Sequence, residues 1–209
     1  MSPRVSLKWL LFVGIAVIAS FLVIILFLVP NLSAQGSDAK SVSAVSSQTS
    51  QDVVLPGPIS PGLPVRLKIP RIKVDAAIEH VGLTSGGAVE IPKSLANVAW
   101  FKLGPRPGND GNAVINGHYG WWKNGTLGVF NNLAKLKKGD KLYIEDDRGA
   151  LITFIVRELK TYGPNETATA VFVPNDDKAH LNLVTCTGVW NKISKSYPNR
   201  LVIFADKEM

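Results

Sequence analysis

A thiol acts as a nucleophile only as its thiolate, and a thiolate needs a base or a cation nearby. Cys186 is the single cysteine of the chain, so it has no partner for an intramolecular disulfide. It closes the apolar, β-prone run Leu181–Val184, and Gly188 follows two residues later. That pattern predicts a thiol at a strand end, where a scaffold holds it and a substrate can reach it. Arg200 opens the next strand-like run, Leu201–Ala205. If the two strands are neighbours, a permanent cation lies near the thiol. The bland alternative is an inert buried cysteine that packs as a small hydrophobe.

Three histidines are available to pair with it. His180 lies six residues before Cys186, about 20 Å along an extended chain, which makes it a poor partner. His80 follows Glu79 in a strand-to-turn context with nothing distinctive around it. His118 ends Ala113-Val114-Ile115-Asn116-Gly117-His118. There an apolar strand stops, a glycine permits a special backbone geometry, and a histidine is presented at the strand end. This context mirrors the one around Cys186 and makes His118 the acid–base candidate, against a surface or structural histidine. In such a trio Cys186 attacks a peptide carbonyl to form a thioester, and His118 protonates the leaving amine and deprotonates the incoming one. Arg200 offers fixed donors to the oxyanion; its bland alternative is a surface pair with Asp176 or Asp177. Thr185, next to the thiol, adds a backbone or side-chain contact or is ordinary strand threonine. Trp121, Trp122 and Trp190 flank the two motifs, as groove lining or as packing.

The flanking chain bounds where this chemistry takes place. The chain has 209 residues, 46% of them hydrophobic, and a formal charge of +7. Residues 9–29 contain no charged residue; as a helix they span roughly 30 Å, enough to cross a bilayer core. Arg4 and Lys8 precede the run, which places residues 1–8 in the cytoplasm by the positive-inside rule. A cleaved signal peptide needs a shorter apolar region and a small-x-small site; Leu32-Ser33-Ala34 does not supply one. Residues 9–29 are therefore expected to be an uncleaved transmembrane anchor in the cell membrane. Residues 30–62 carry eight serines and a Pro/Gly-rich end, the composition of a flexible stalk. Residues 63–209 remain for one globular, extracytoplasmic domain. That span holds 20 Lys/Arg against 14 Asp/Glu, a net +6. A domain outside the membrane has no nucleic acid to bind, so a wall polymer, an anionic lipid surface or plain solvation accounts for the charge better.

Short β-prone runs separated by turn signals fill this domain. Val65–Pro70 and Lys141–Glu145 alternate with period two, as half-buried strands do, and Pro70 confines the first to an edge or an end. Further runs are Lys73–Ile78, Ala88–Ile91, Ala113–Ile115, Leu151–Leu159, Leu181–Cys186 and Arg200–Ala205. Asp147-Arg148-Gly149 reads as the turn of a hairpin, and Phe130–Leu136 as one short helix. Roughly eight strands of this kind predict an all-β barrel or sandwich. No metal-ligand spacing, phosphate loop or internal repeat is present.

Together these features resemble the sortases, membrane-anchored cysteine transpeptidases of mainly Gram-positive bacteria. Asn116-Gly117-His118 is similar to the end of their histidine strand. Leu183-Val184-Thr185-Cys186 is similar to their Thr-Leu-x-Thr-Cys motif, with Asn182 at the first position. Arg200 follows the cysteine by 14 residues at the start of the last strand. The phrase Leu67-Lys68-Ile69-Pro70-Arg71-Ile72, the Cys-Thr-Gly segment and the N-terminal anchor are also family-like.

The resemblance implies a closed barrel of about eight strands with short helices, and Cys186, His118 and Arg200 as catalytic residues. Thr185, Trp190 and Asn116 are the candidate substrate-binding residues. The implied reaction cleaves a C-terminal Leu-Pro-x-Thr-Gly-like sorting signal between Thr and Gly. The acyl group then passes to an amine of a peptidoglycan precursor or a pilin. The chain ends without a sorting signal, as expected of the enzyme and not of its substrate. No cofactor is required; some sortases are stimulated by calcium, and no calcium site can be placed here. The departure at Asn182 and the Trp-rich loop after His118 leave the subclass open. An L,D-transpeptidase is disfavoured, because those enzymes carry Ser-x-Gly-Cys with an arginine close behind. A non-catalytic wall-binding module is the alternative from another class.

Overall fold

The computed structural model describes residues 60–122 and 125–209. The expected cytoplasmic start, the anchor at 9–29 and residues 30–59 of the expected stalk lie outside the described residues. Among the described residues no helix is long and apolar enough to cross a membrane.

Eight strands follow one another: β1 (Pro64–Ile69), β2 (Val74–Val81), β3 (Val98–Phe101), β4 (Gly111–Gly117), β5 (Lys141–Asp146), β6 (Leu151–Tyr162), β7 (Ala179–Thr187) and β8 (Asn199–Lys207). They close into a barrel in the order β1-β2-β3-β4-β7-β8-β6-β5. Closure, and not a sandwich, follows from β1 pairing with β2 on one side and with β5 on the other. A closed sheet leaves no long edge for another chain to add to. Two neighbouring pairs run parallel, β2 with β3 and β4 with β7. Parallel neighbours need long crossovers, so residues 82–97 must pass over the sheet between β2 and β3.

Alternation decides which side chains enter the barrel. Leu181 and Leu183 of β7, Ala113 and Ile115 of β4, and Leu201 and Ile203 of β8 point into the core. Truncating one of these, such as Leu183→Ala, costs about 2–5 kcal/mol through lost transfer energy and the cavity left behind. The residues between them face outward. There Val114, Tyr162, Val171, Val202 and Phe204 form a second apolar cluster. The β6–β7 connection, which carries the one-turn helix α1 (Thr169–Phe172), covers that face. Asn112 and Asn182 donate to the Ala170 and Val171 carbonyls at 2.9 and 2.7 Å and pin the connection down.

Several local expectations change. β3 was not expected: Val98-Ala99-Trp100-Phe101 is a wholly apolar tetrapeptide with no alternation to read, and its place comes from pairing with β2 and β4. Ala88–Ile91 is not a strand; only the bridge Leu83–Val89 forms there. Phe130–Leu136 yields only a 3-10 turn at Leu133–Lys135, because Phe130 and Leu133 are drawn into the core. His80 is the next-to-last residue of β2, and its Nε2 lies 2.7 Å from the Pro64 carbonyl oxygen. Ser60–Gly62, read from composition as stalk, is bound to the barrel. The Gly62 N–H donates to Asp146 at 2.7 Å, and Arg106 donates to the Pro61 carbonyl at 3.1 Å. Burial alone would push the Asp146 carboxyl up, but donors from Gly62, Ala150 and Arg148 outweigh it and hold it below the usual carboxylate range.

Candidate active site

β4, β7 and β8 lie side by side, and their registers assemble the site. Asn116 of β4 pairs with Val184 of β7 in the parallel ladder. Two residues further along β7, Cys186 faces outward by alternation, and His118 is the first residue beyond β4, at the same end of this parallel pair. Across the antiparallel ladder, Cys186 pairs directly with Arg200. Opposed residues of such a pair have Cβ atoms about 4.5–5.5 Å apart, so thiol and guanidinium stem share one face as neighbours. The condition set by the sequence, that the two strands adjoin, is met.

His118 sits just past the end of β4, where the chain must leave the barrel. Gly117 is needed for space and not for an unusual φ: a Cβ there would lie 2.6 Å from the Phe130 ring. Gly128 presses against the His118 backbone from the returning loop, leaving no room for a side chain. The Phe130 N–H then donates to the His118 carbonyl at 2.9 Å. The imidazole Nε2 lies 2.8 Å from the Pro92 carbonyl oxygen. A carbonyl only accepts, so Nε2 carries the proton, and Nδ1 is the nitrogen free to exchange one. The ring also meets Trp122 edge-on at 5.3 Å between centroids.

Arg200 is exposed, and its Nη1 donates to the Tyr197 and Asn199 carbonyls at 3.0 Å each. The alternative pair with Asp176 or Asp177 does not form: among the described residues the Arg200 acceptors are backbone carbonyls, and Asp176 bonds the His180 ring at 2.7 Å. The other guanidinium donors have no protein acceptor among the described residues. Cys186 is a free, half-buried thiol.

Thr185 is placed differently from expectation. Alternation turns its side chain to the opposite face from Cys186, where it is 3% exposed. Its Oγ1 donates to the Gly117 carbonyl at 2.8 Å. It therefore ties the thiol strand to the histidine strand, and its hydroxyl is not presented on the thiol's face. Asn116 is on that face; its Nδ2 donates to the Glu90 carbonyl at 2.9 Å, and its Oδ1 is buried with no partner. Trp190 is half-exposed beside the thiol loop and meets Tyr197 at 5.0 Å, which in turn meets Tyr119 at 5.1 Å. This aromatic ladder joins the His118 loop to the Cys186 loop. Burial, then Tyr119 and a charge on Cys186, push the Tyr197 hydroxyl above the ordinary tyrosine value. Trp121 is largely exposed at the rim.

Sequence reasoning did not single out Tyr119, Tyr197, Pro92 or Glu79. The two tyrosines, one next to His118 and one three residues before Arg200, carried a usable proximity signal. Pro92 and Glu79 carried none, since their roles arise from packing between distant segments. Among the described residues, no group of three or more His, Cys, Asp or Glu could hold a metal ion.

Comparison with known proteins places this geometry. The sortase domain family model matches residues 67–208. Among curated proteins no match is found. Among solved structures, sortase C-1 from Actinomyces oris is similar, with 26% identity and a TM-score of 0.54, covering 70% of this chain and 75% of that one. Sortase C1 of Streptococcus agalactiae, solved as a complex with MTSET, shows 27% identity and a TM-score of 0.52, covering 69% and 67%. Sortase A from Corynebacterium diphtheriae shows 25% identity and a TM-score of 0.52, covering 71% of this chain and 62% of that one. With a family model spanning two-thirds of its length and the same eight-strand barrel, this chain belongs to the sortase family of transpeptidases.

Proposed function

We propose that the chain is a membrane-anchored cysteine transpeptidase in which Cys186, His118 and Arg200 carry the reaction. The observation that supports this most is the register of β7 and β8, which sets Cys186 opposite Arg200 at the end of the β4–β7 pair where His118 leaves β4. The Cys186 thiolate attacks the Thr carbonyl of a Leu-Pro-x-Thr-Gly-like sorting signal, and the carbonyl electron pair moves to oxygen. The free Arg200 donors stabilise that oxyanion. His118 holds the proton lost by the thiol on Nδ1; as the C–N bond breaks it gives that proton to the departing Gly amine, leaving a thioester on Cys186. An acceptor amine on a peptidoglycan precursor or pilin attacks the thioester, His118 takes its proton, and the thiolate leaves.

Substrates are thus surface proteins bearing a sorting signal, with Trp190 and Asn116 lining their path. Thr185 holds β7 against β4 beneath them. Residues 9–29 anchor the enzyme in the bilayer once, N-terminus in the cytoplasm, with the catalytic domain outside. No cofactor enters the mechanism, and calcium stimulation has no assigned site. The test is mass spectrometry of the full chain with a library of Leu-Pro-x-Thr-Gly-like peptides and amine acceptors. Transfer products cut between Thr and Gly are expected; absence of any product across the library overturns the reading. Protease added to intact spheroplasts should digest residues 63–209, and protection of the domain would contradict the topology.

A further inference from the structure

His118 is held by a segment that has no covalent reason to stay where it is. Residues 82–97 form the crossover between parallel strands β2 and β3, and residues 90–97 contain no strand or helix. Yet this stretch supplies two backbone acceptors to the site strand. The Glu90 carbonyl takes the Asn116 Nδ2 donor at 2.9 Å, and the Pro92 carbonyl takes the His118 Nε2 donor at 2.8 Å. Whatever fixes residues 90–97 therefore fixes the imidazole's orientation and tautomer.

One side chain does most of this. Glu79 projects from β2 on the outer face, and the pairings Glu79–Ala99 and Ala99–Asn116 put it in one lateral row with Asn116. The small Ala99 between them leaves space for the crossover to lie across the sheet. The Glu79 carboxylate accepts the Lys93 N–H at 2.9 Å, the Ser94 N–H at 3.3 Å and the Asn97 Nδ2 donor at 2.9 Å. Pro92, buried and fixed in φ by its ring, joins these clamped residues to the carbonyl under His118. At the far side the Leu95 carbonyl accepts the Val129 N–H at 3.0 Å, closing the segment onto the turn whose Phe130 bonds the His118 carbonyl.

We infer that Glu79 is a positioning residue for His118, acting through residues 92–97 and the Pro92 carbonyl. This rests on the proposed acid–base role of His118. The three donors also keep the carboxyl ionised: burial pushes its pKa up, but the Lys93, Asn97 and Ser94 contacts outweigh that and hold it below the usual glutamate value. A neutral amide at this position must turn a donor toward donors, so Glu79→Gln disrupts the clamp while keeping size. Misplacing a catalytic group by about 1 Å costs on the order of 100-fold in rate, so even partial release of the imidazole is measurable.

The test uses the full chain in detergent, with ring-15N-labelled histidine and the Leu-Pro-x-Thr-Gly-like peptide that the wild type turns over best. In the wild type, the His118 ring is expected as the Nε2–H tautomer when neutral. Glu79→Gln is expected to lower kcat about 10- to 100-fold with KM within about twofold. It should also remove the His118 tautomer preference while leaving the His80 and His180 signals in place. Asn97→Ala, which deletes one of the three donors, should give a smaller loss of the same kind and serves if the Gln variant does not fold. In a His118→Ala background, Glu79→Gln should cost nothing further. Normal kcat and an unchanged His118 signal in both clamp variants overturn the inference. An undiminished turnover in His118→Ala instead removes the acid–base reading on which it rests, and the ring spectra still report whether Glu79 orients the imidazole.

Discussion

The two ends of β7 carry a histidine and a cysteine, and they are built in opposite ways. At its start His180 is 3% exposed and has a carboxylate on each ring nitrogen: Asp206 at Nδ1 and Asp176 at Nε2, both at 2.7 Å. Arg157 donates to Asp206 in turn at 2.8 Å. At the other end Cys186 is half-buried and free. Its neighbour Arg200 is held only by two backbone carbonyls, and its other guanidinium donors have no protein acceptor among the described residues. A buried polar group with every partner in place stabilises a fold and has no valence left for a ligand. A half-buried thiol beside a cation with unused donors has valence left for a ligand. The same strand thus separates a fully partnered histidine from the proposed nucleophile by six residues.

The sharpest break of this contrast is at the thiol. Cys186→Ala should abolish turnover while shifting Tm by less than about 2 °C, because alanine fills most of the same small apolar volume. His118→Ala should lower turnover by at least about 100-fold. Next comes Arg200. Both Arg200→Ala and Arg200→Lys should cost roughly 100- to 1000-fold, because the oxyanion needs a rigid donor and not only a charge. If the lysine variant keeps more than about a third of wild-type turnover, Arg200 acts only through its field.

The opposite end should respond in the opposite observable. His180→Ala removes a buried ring and its hydrogen bonds, a loss of about 1–3 kcal/mol, the usual size for a buried substitution. For a domain of this size that lowers Tm by about 3–10 °C. Turnover measured well below Tm should stay within about threefold of wild type. A large loss of turnover with unchanged Tm would reverse the assignment of the two ends.

How much of this contrast is legible before folding differs by residue. The alternating run Leu181–Cys186 reveals a strand, and Gly117-His118 and Cys186 reveal two strand ends. Their adjacency does not appear there, because β4 and β7 are joined only by a parallel pairing across 61 intervening residues, 118–178. Closure into a barrel was implied by family resemblance, not by periodicity, since a sandwich has the same alternation. Thr185 could be placed on either face until the register was known. The one-turn helix at Thr169–Phe172 was invisible because Thr, Val and Phe are poor helix formers; packing of Val171 on the outer face decides it. Glu79 gave no signal, because its partners are two backbone N–H groups and the Asn97 amide, 14 to 18 residues away.

The smallest expected effect is the acid response of the His180 end. The hydrogen bond from His180 is the main cause holding the Asp176 carboxyl below its usual value. A lowered carboxylate pKa contributes stability that is present above the unfolded value and is lost as pH falls through the folded one. This contribution to Tm should therefore be lost as pH falls below about pH 4. In His180→Ala that acid decline should be shallower, as thermal melts at pH 7 and pH 3 would show.

The central claim is that the unsatisfied end of β7 is where a peptide becomes covalently attached. Its most direct measurement is intact and peptide-level mass spectrometry of the full chain after brief exposure to a Leu-Pro-x-Thr-Gly-like peptide without an acceptor amine. A thioester-linked acyl group is predicted on the fragment containing Cys186, absent in Cys186→Ala and discharged when an amine is added. An acyl group found on any other residue, or turnover that survives Cys186→Ala, contradicts the account.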